Sequence, residues 1–205
     1  LMRRRLNKLA TTRLACGVNA GEFLYGKNQD FTVINNGIDV GKFFFNADYR
    51  KELRKKYKLG DKTKVILNVG RQEEVKNQAW LIDVFDKVAE KQPDSTLFIL
   101  GDGSLKDFLK EKASKLASKN QIFILDSQPD VNKYYSMADV FVLPSKFEGV
   151  PTVGIEAQVS GLPCLFSIFV PEETKISKNA KFLNIDSDEK WTKELLNIHV
   201  QEKRS

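Results

Sequence analysis

The sequence predicts an α/β protein: a Rossmann-like parallel sheet with helices on both of its faces. From about residue 64, short apolar runs alternate with segments whose apolar residues recur at helical spacing, which is typical of βαβ units. The runs are apolar throughout, and this indicates strands that are covered on both faces. Crossovers between such strands are right-handed. A length of 205 residues allows one sizeable domain of this class, or one domain and a fragment.

The elements of this alternation follow one another without long gaps. The expected strands are residues 64–70, 95–101, 121–126, 139–144 and 162–167. The expected helices are residues 77–92, 104–119, 130–138, about 151–160 and a last segment within 187–205. Ser187 or Asp188 can cap that last helix. Its apolar side chains are those of Trp191, Leu195, Leu196 and Val200.

The first 63 residues do not continue this alternation. Residues 3–26 look helical but are interrupted by two glycines. Residues 30–39 combine a short strand with an Asn-Gly turn, and residues 47–60 form a lysine-rich helix that Gly60 closes. This part of the chain therefore looks like a lead-in to the repeating βα pattern.

Composition limits the chemistry that the chain can carry. Hydrophobic residues make up 41% and charged residues 29%, which is a soluble globular composition without a membrane-spanning run or a signal peptide. The start at Leu1, with Met2 behind it, suggests a piece of a longer chain. Two cysteines, Cys16 and Cys164, favour a reducing, cytoplasmic compartment.

The single histidine, His199, is expected in the last helix. It argues against a histidine metal site or a Ser-His-Asp triad, so the chemistry of the chain is expected to use carboxylates, amides, lysine and arginine.

The net charge of +6 admits three classes of partner: nucleic acid, an anionic membrane surface, or phosphorylated small molecules. The densest basic cluster comprises Arg3, Arg4, Arg5, Lys8 and Arg13. A solvated helix face is the simpler interpretation of this cluster, and a membrane-surface patch is the alternative. Elsewhere basic residues are spread along helices that also carry glutamates, which does not favour nucleic acid.

The carboxyl ends of the predicted strands are where a ligand is expected, because parallel open sheets bind ligands there, against helix N-termini. Four loops meet this description: residues 70–76, 101–104, 126–130 and 145–151. The 101–104 loop, Gly-Asp-Gly-Ser, predicts only a tight turn with Ser104 as the cap of the next helix.

The helix that follows the 145–151 loop is expected to start at Pro151 and to stop before Gly161. Four backbone groups near its start can present free amides to an anion, those of Gly149, Val150, Thr152 and Val153. Glu148 precedes this start and Glu156 follows it by one to two turns. Carboxylates accept hydrogen bonds from hydroxyl groups, so the pair suits a molecule with both phosphates and vicinal diols, such as a nucleotide sugar. The alternative is that Glu148 caps the helix and Glu156 is merely exposed.

Arg71 and Lys76 follow the first strand of the series, five positions apart. An arginine fork and a mobile lysine charge on one side of a diphosphate, with a helix N-terminus on the other, would stabilise a departing pyrophosphate. The alternative is surface pairing with Glu73 or Glu74.

Together these segments carry a resemblance to a known family. "VGRQEEVKN", "FILGDG" and "MADVFVLPSKFEGVPTVGIEAQVSGLPC", preceded by "VINNGID", resemble in order and spacing the carboxyl-terminal, donor-binding half of GT-B retaining glycosyltransferases of family 4, or glycosyl transferases group 1. The resemblance covers about residues 30–190. It is most like bacterial capsular and exopolysaccharide enzymes.

The resemblance implies roles for the candidate residues. Arg71 and Lys76 bind the donor diphosphate, Glu148 contacts the donor sugar, and Glu156 holds the ribose hydroxyls; the implied catalytic residues are Glu148, Arg71 and Lys76. The phosphate is cradled by the stretch Gly149, Val150, Pro151 and Thr152. The reaction implied is a retaining transfer without metal or cofactor, with UDP as the favoured nucleotide.

The resemblance also implies what lies outside the sequence. Residues 1–29 correspond to the end of an amino-terminal acceptor domain, and residues 30–205 to the donor-binding domain. The polysaccharide or lipid-linked acceptor would bind mainly to the missing domain, on the cytoplasmic side of the cell membrane or at its inner face. A fragment of this kind would bind a nucleotide but transfer sugar poorly. Three residues depart from the family pattern near the base or sugar: Asp126, Gln128 and Ile168.

Three other functions fit the residues less well. A dinucleotide-binding oxidoreductase would need a Gly-x-Gly-x-x-Gly turn, which follows none of the strands. A glycosidase using Glu148 and Glu156 would leave Arg71 and Lys76 without a role. A non-catalytic basic module would need one basic patch with interleaved aromatic residues.

Overall fold

The computed structural model describes residues 2–34, 36–200 and 204, and the side chains of these residues from Arg5 onward. Its strands are β1 Leu14–Ala15, β2 Thr32–Val33, β3 Lys64–Val69, β4 Ser95–Leu100, β5 Ile122–Leu125, β6 Val140–Leu143, β7 Cys164–Ser167 and β8 Ala180–Leu183. Its α-helices are α1 Met2–Leu9, α2 Val18–Tyr25, α3 Val40–Phe43, α4 Ala47–Lys56, α5 Gln78–Lys91, α6 Lys106–Ser114, α7 Val131–Met137, α8 Thr152–Val159 and α9 Asp188–Asn197.

Six strands form one parallel sheet in the order β5-β4-β3-β6-β7-β8. The strand order reverses between β3 and β6, which are neighbours in the sheet although two strands separate them in the chain. The helices that follow these two strands lie on opposite faces, so a crevice opens at their carboxyl ends. This is the point at which doubly wound sheets bind ligands. The predicted Rossmann-like fold with a parallel sheet is confirmed.

Two hydrophobic cores cover the two faces of the sheet. Successive residues of β3 point in opposite directions, so Val65 and Leu67 belong to one core and Ile66 to the other. The first core is closed by α3, α4, α7 and α8, and the second by α5, α6 and α9. Helices therefore cover both faces, as the apolar strand runs predicted.

The amino-terminal segment is not the interrupted helix predicted for residues 3–26. It forms α1, then β1, then α2, because Leu14 and Ala15 pair in parallel with Thr32 and Val33. The exposed side chains of Arg5 and Lys8 fit the solvated face expected of the basic cluster, whereas the side chains of Arg3 and Arg4 lie outside the described atoms.

Several predicted boundaries were wrong. Helix α4 ends at Lys56, and the left-handed residue that closes it is Lys58, with φ of 55°, not Gly60. Helix α9 ends at Asn197, so His199 is exposed beyond it; the expected helical residues 201–203 and 205 lie outside the described part of the chain. Strand β8 was not predicted, because Ala180–Leu183 is a short edge strand interrupted by an exposed lysine.

A buried ion-pair cluster joins α4 to the amino end of β6. The side chain of Asp139 is fully buried, and its two carboxylate oxygens pair with Arg50 at 2.7 Å and Arg54 at 3.4 Å. Asp139 also accepts a hydrogen bond from the backbone amide of Val65 at 2.8 Å. The cluster lies at the opposite end of the sheet from the crevice, which marks it as structural. Among the described residues, no helix is both long and apolar enough to cross a membrane.

Candidate functional site

Three of the four predicted loops, those after β3, β4 and β5, converge at the strand carboxyl ends. Together with Val153 and Glu156 of α8 they line a cavity of about 660 Å³, called the rim cavity below, and the 145–151 loop is not part of that lining. Its polar lining includes Arg71 and Glu73 after β3, Asp102 after β4, Ser127 and Gln128 after β5, and Glu156 of α8. This volume is within the range of sites for small molecules. In the described part of the chain, no group of His, Cys, Asp and Glu side chains is placed to hold a metal ion.

The turn after β4 lies so close to the loop after β3 that only glycine fits at two positions. A Cβ on Gly101, whose φ is +143°, would lie 2.2 Å from the carbonyl oxygen of Gly70. A Cβ on Gly103 would lie 2.3 Å from the carbonyl oxygen of Gln72. The two glycines thus allow the turn after β4 to approach the loop after β3 closely.

The predicted role of Ser104 as a helix cap was wrong. Helix α6 has Leu105 at its N-cap without a side-chain hydrogen bond, and Ser104 instead binds Glu73 through its amide at 3.2 Å and its hydroxyl at 3.0 Å. These two bonds lower the pKa of Glu73, the amide more than the hydroxyl. The carboxylate of Glu73 is therefore hydrogen-bonded to the turn that contains Ser104.

Two buried glutamines, which the sequence analysis missed, hold the loop that carries Arg71. The amide group of Gln72 donates to the carbonyl oxygens of Gly101 at 2.5 Å and Leu125 at 3.2 Å. The amide group of Gln78, the first residue of α5, donates to the carbonyl of Arg71 at 3.1 Å. The backbone at Arg71 is thus held on both sides, while its side chain is exposed at the cavity.

Lys76 does not line the rim cavity but is paired with Glu148. Its Nζ lies 2.5 Å from Oε1 of Glu148, and only 14% and 9% of the two side chains are exposed. The alternative pairing of Lys76 with Glu73 or Glu74 is wrong, since Glu73 binds Ser104 and Glu74 pairs with Lys146 at 3.0 Å. The structure therefore joins one predicted cation and one predicted carboxylate across 72 positions of sequence.

A buried serine orients Glu148. Ser145 donates its hydroxyl to the same Oε1 at 2.7 Å, and its own carbonyl accepts a hydrogen bond from Ser167 at 2.5 Å. Helix α8 has no side-chain cap, so the alternative in which Glu148 caps it is wrong. No sequence pattern indicated Ser145, because a serine before a loop has many ordinary uses.

The start of α8 differs from the expected one by one residue. Pro151 is the N-cap, with extended ψ of 114°, and the helix begins at Thr152. Gly161 follows its end with φ of 72°, as expected. The first amides of a helix have no intrahelical partner, so they remain available to an anion. Gly149 has open space on its Cβ side, which leaves access to this start.

Glu156 lines the rim cavity from the second turn of α8 and is half-buried, so the alternative of a merely exposed side chain is wrong. Its Oε2 accepts a hydrogen bond from the hydroxyl of Tyr135 at 2.8 Å. Burial raises the pKa of Glu156, against the opposing effects of the Tyr135 hydroxyl and the charge of Lys42.

The three residues that depart from the family pattern occupy different positions. Gln128 lines the cavity, and its side chain is held by the hydroxyl of Tyr134 at 3.2 Å and by the carbonyl of Asp126 at 2.9 Å. The carboxylate of Asp126 pairs with Lys106. Ile168 is half exposed after β7. Of the three residues, Gln128 is the one that belongs to the cavity lining, to which it contributes a side-chain amide.

The chain is similar in sequence to a known family of enzymes. Residues 49–197 match the sequence profile of glycosyl transferases group 1. The chain is 32% identical over 177 residues to the putative glycosyltransferase EpsF of Bacillus subtilis, covering 84% of this chain and 46% of EpsF. It is 35% identical over 167 residues to the UDP-Gal:alpha-D-GlcNAc-diphosphoundecaprenol alpha-1,3-galactosyltransferase of Escherichia coli, covering 77% of this chain and 43% of that enzyme.

A solved structure shares the fold. HepE of Anabaena, crystallised in complex with UDP-glucose, superposes with a TM-score of 0.81 at 19% identity, over 94% of this chain and 55% of HepE. The chain spans about half the length of the curated relatives it matches. On the matched profile and these relatives together, the chain belongs to the family of glycosyl transferases group 1.

Proposed function

We propose that this chain is the donor-binding part of a retaining glycosyltransferase that takes its sugar from a nucleoside diphosphate sugar, with UDP as the nucleotide. One observation carries the proposal: Arg71, Val153 in the first turn of α8 and Glu156 line one cavity at the point where the strand order reverses. An arginine and helix amides suit a diphosphate, and a carboxylate suits the hydroxyls of a ribose.

The chemistry follows from where charge develops. In sugar transfer the bond between the anomeric carbon and the diphosphate breaks, and the nucleoside diphosphate leaves with the electron pair. Arg71 on one side and the amides of Gly149, Val150 and Thr152 on the other stabilise that charge. The side chain of Lys76 packs against Gly70. Its aliphatic carbons lie 3.7–3.9 Å from the position that a Cβ on Gly70 would have. From there its ammonium group can turn from Glu148 toward the diphosphate, and the released carboxylate can accept a hydroxyl of the sugar.

The relatives support the choice of nucleotide and suggest the acceptor. The Escherichia coli relative is named for a UDP-Gal donor and a lipid-linked diphosphoundecaprenol acceptor, and HepE was crystallised with UDP-glucose. By analogy the acceptor of this protein is a saccharide or lipid-linked saccharide, in polysaccharide synthesis on the cytoplasmic side of the membrane. Residues 1–29 would be the end of a preceding domain that holds the acceptor, and residues 30–205 the donor domain.

A thermal-shift panel tests the proposal. The chain is heated with UDP, GDP, ADP or NAD, and each variant is compared with its own ligand-free melting temperature. A ligand at about a hundred times its dissociation constant adds about 2.7 kcal/mol to stability. We expect UDP to raise the melting temperature of the parent, and Arg71→Ala and Glu156→Ala to abolish that rise.

Matched controls come from an exposed ion pair at the carboxyl end of α6, where Lys115 is the C-cap. Lys115 and Glu111 are 68% and 66% exposed and lie outside the rim cavity, so Lys115→Ala and Glu111→Ala should keep the full UDP response. A shift with NAD alone would favour an oxidoreductase. A UDP shift that survives both site substitutions would mean that the nucleotide binds elsewhere.

A further inference from the structure

The hydroxyl of Tyr135 is a buried polar group beside Glu156, which lines the rim cavity. Tyr135 has no exposed surface, and its ring lies 5.9 Å from the rings of both Phe43 and Phe141. A buried phenol needs a hydrogen-bond partner for its hydroxyl. That partner is Oε2 of Glu156 at 2.8 Å, with the carbonyl of Val153 more distant at 3.4 Å.

This contact makes the two oxygens of the Glu156 carboxylate different, because one has a hydrogen-bond partner in the protein and the other does not. Oε2 is held from below by Tyr135, across the packing of α7 against α8. Among the backbone groups and side chains that the structure describes, no donor forms a hydrogen bond to Oε1. The carboxylate is thus fixed at one oxygen and free at the other, while its residue lines the cavity. A carboxylate restrained in this way has little orientational freedom to lose when a ligand hydroxyl binds it.

We propose that Tyr135 is the positioning residue for ribose recognition: it holds Glu156 so that the free oxygen accepts a ribose hydroxyl of the bound nucleotide. The inference rests on the proposed nucleotide site and goes beyond it by assigning its selectivity for ribose to a residue that does not touch the ligand. Tyr135 acts only through Glu156, and its ring is enclosed in the apolar core.

The neighbouring tyrosine provides a matched control. Tyr134 is also buried on α7, but its hydroxyl bonds to the hydroxyl of Tyr57 at 2.8 Å and to the side chain of Gln128 at 3.2 Å. Tyr134→Phe and Tyr135→Phe therefore remove the same atom from adjacent positions of one helix. Of the two, only Tyr135→Phe removes a contact with Glu156.

The test is the ratio of two dissociation constants measured by calorimetry, for UDP and for 2′,3′-dideoxy-UDP. In the parent we expect UDP to bind about tenfold or more tightly than the dideoxy compound, since a ribose hydroxyl bonds to a charged carboxylate. In Tyr135→Phe the ratio should fall to about threefold or less, with the affinity for the dideoxy compound nearly unchanged. In Tyr134→Phe the parent ratio should persist.

The outcomes separate this proposal from the site itself. A parent that binds UDP with a tenfold ratio, and a Tyr135→Phe variant that keeps it, would overturn the positioning role and leave the nucleotide site standing. Equal loss of affinity for both compounds in Tyr135→Phe would show a merely structural role. A parent that does not bind UDP would overturn both proposals.

A second measurement needs no variant and applies if Tyr135→Phe fails to fold. The hydroxyl proton of Tyr135 is enclosed and hydrogen-bonded, so its nuclear magnetic resonance signal in the parent should be observable. We expect UDP to shift that signal and the dideoxy compound to leave it in place. Equal shifts with both compounds would contradict the proposal.

Discussion

Glu156 is a candidate ligand-binding residue whose ionisation should lower the stability of the fold. Burial raises its pKa in the folded state above the unfolded value, so ionisation of this side chain disfavours folding. Its unfavourable contribution develops as the pH rises from the unfolded pKa through the folded one. Below both values the protonated carboxyl resembles an uncharged amide.

We therefore expect Glu156→Gln to raise the free energy of unfolding at pH 7 while it weakens UDP binding. The amide oxygen of the substituted side chain can still accept the Tyr135 hydroxyl, so the packing is kept. The gain should shrink as the pH falls toward the unfolded pKa of glutamate. Urea unfolding at several pH values measures it, and a variant less stable than the parent at pH 7 would contradict the expectation.

Lys76 and Glu148 form a pair whose loss should cost stability as well as binding. Lys76→Met leaves the 8%-exposed Glu148 with Ser145 as its remaining partner, which we expect to cost about 1–3 kcal/mol at pH 7. The matched control is Lys146→Met, because Lys146 pairs with the 84%-exposed Glu74. That change should cost less than about 0.5 kcal/mol. Equal costs in urea unfolding would show that the Lys76 pair is not a buried one.

At the scale of elements, the close approach of the loops after β3 and β4 shapes the cavity. Gly103→Ala would place a methyl group 2.3 Å from a backbone oxygen, so one loop must move. We expect a loss of about 1–3 kcal/mol, together with weaker UDP binding as the Arg71 loop shifts. Gly37→Ala is the matched control, because a Cβ there meets nothing within 4 Å. Calorimetric melting and UDP titration of both variants measure the effect; unchanged UDP affinity in a destabilised Gly103→Ala would contradict the link.

The elements also show what sequence patterns can predict. Continuous apolar runs predicted β3 to β7, and the rule for strand carboxyl ends placed Arg71 and Glu156 at one edge. The pairing of Lys76 with Glu148 and the contact of Tyr135 with Glu156 could not be predicted, because each depends on how two helices or loops lie in space. The closure of α4 by Lys58 was missed, since a left-handed lysine is rare and Gly60 stood two residues away.

At the scale of the whole molecule, stability depends on the end of the sheet opposite the site. Asp139 binds Arg50, Arg54 and the amide of Val65, and so joins α4, β3 and β6. Asp139→Asn leaves two buried arginines without a counter-charge, which we expect to cost about 3–5 kcal/mol. In contrast, Glu111→Gln removes an exposed pair and should cost less than about 0.5 kcal/mol. Guanidinium unfolding measures both, and a loss below about 1 kcal/mol for Asp139→Asn would contradict this account.

We therefore expect the two ends of the sheet to have different roles, one in stability and the other in binding. The buried cluster lies at the amino ends of the strands, whereas Arg71 and Glu156 lie at the carboxyl ends, where we propose that the nucleotide binds. A variant of Asp139 that still folds should bind UDP with unchanged affinity.

A crystal structure of this chain with bound UDP would locate the nucleotide. We predict electron density in the rim cavity, with the diphosphate between Arg71 and the start of α8 and a ribose hydroxyl within hydrogen-bond distance of Oε1 of Glu156. Well-defined UDP at any other surface, with the rim cavity holding only water, would contradict this prediction.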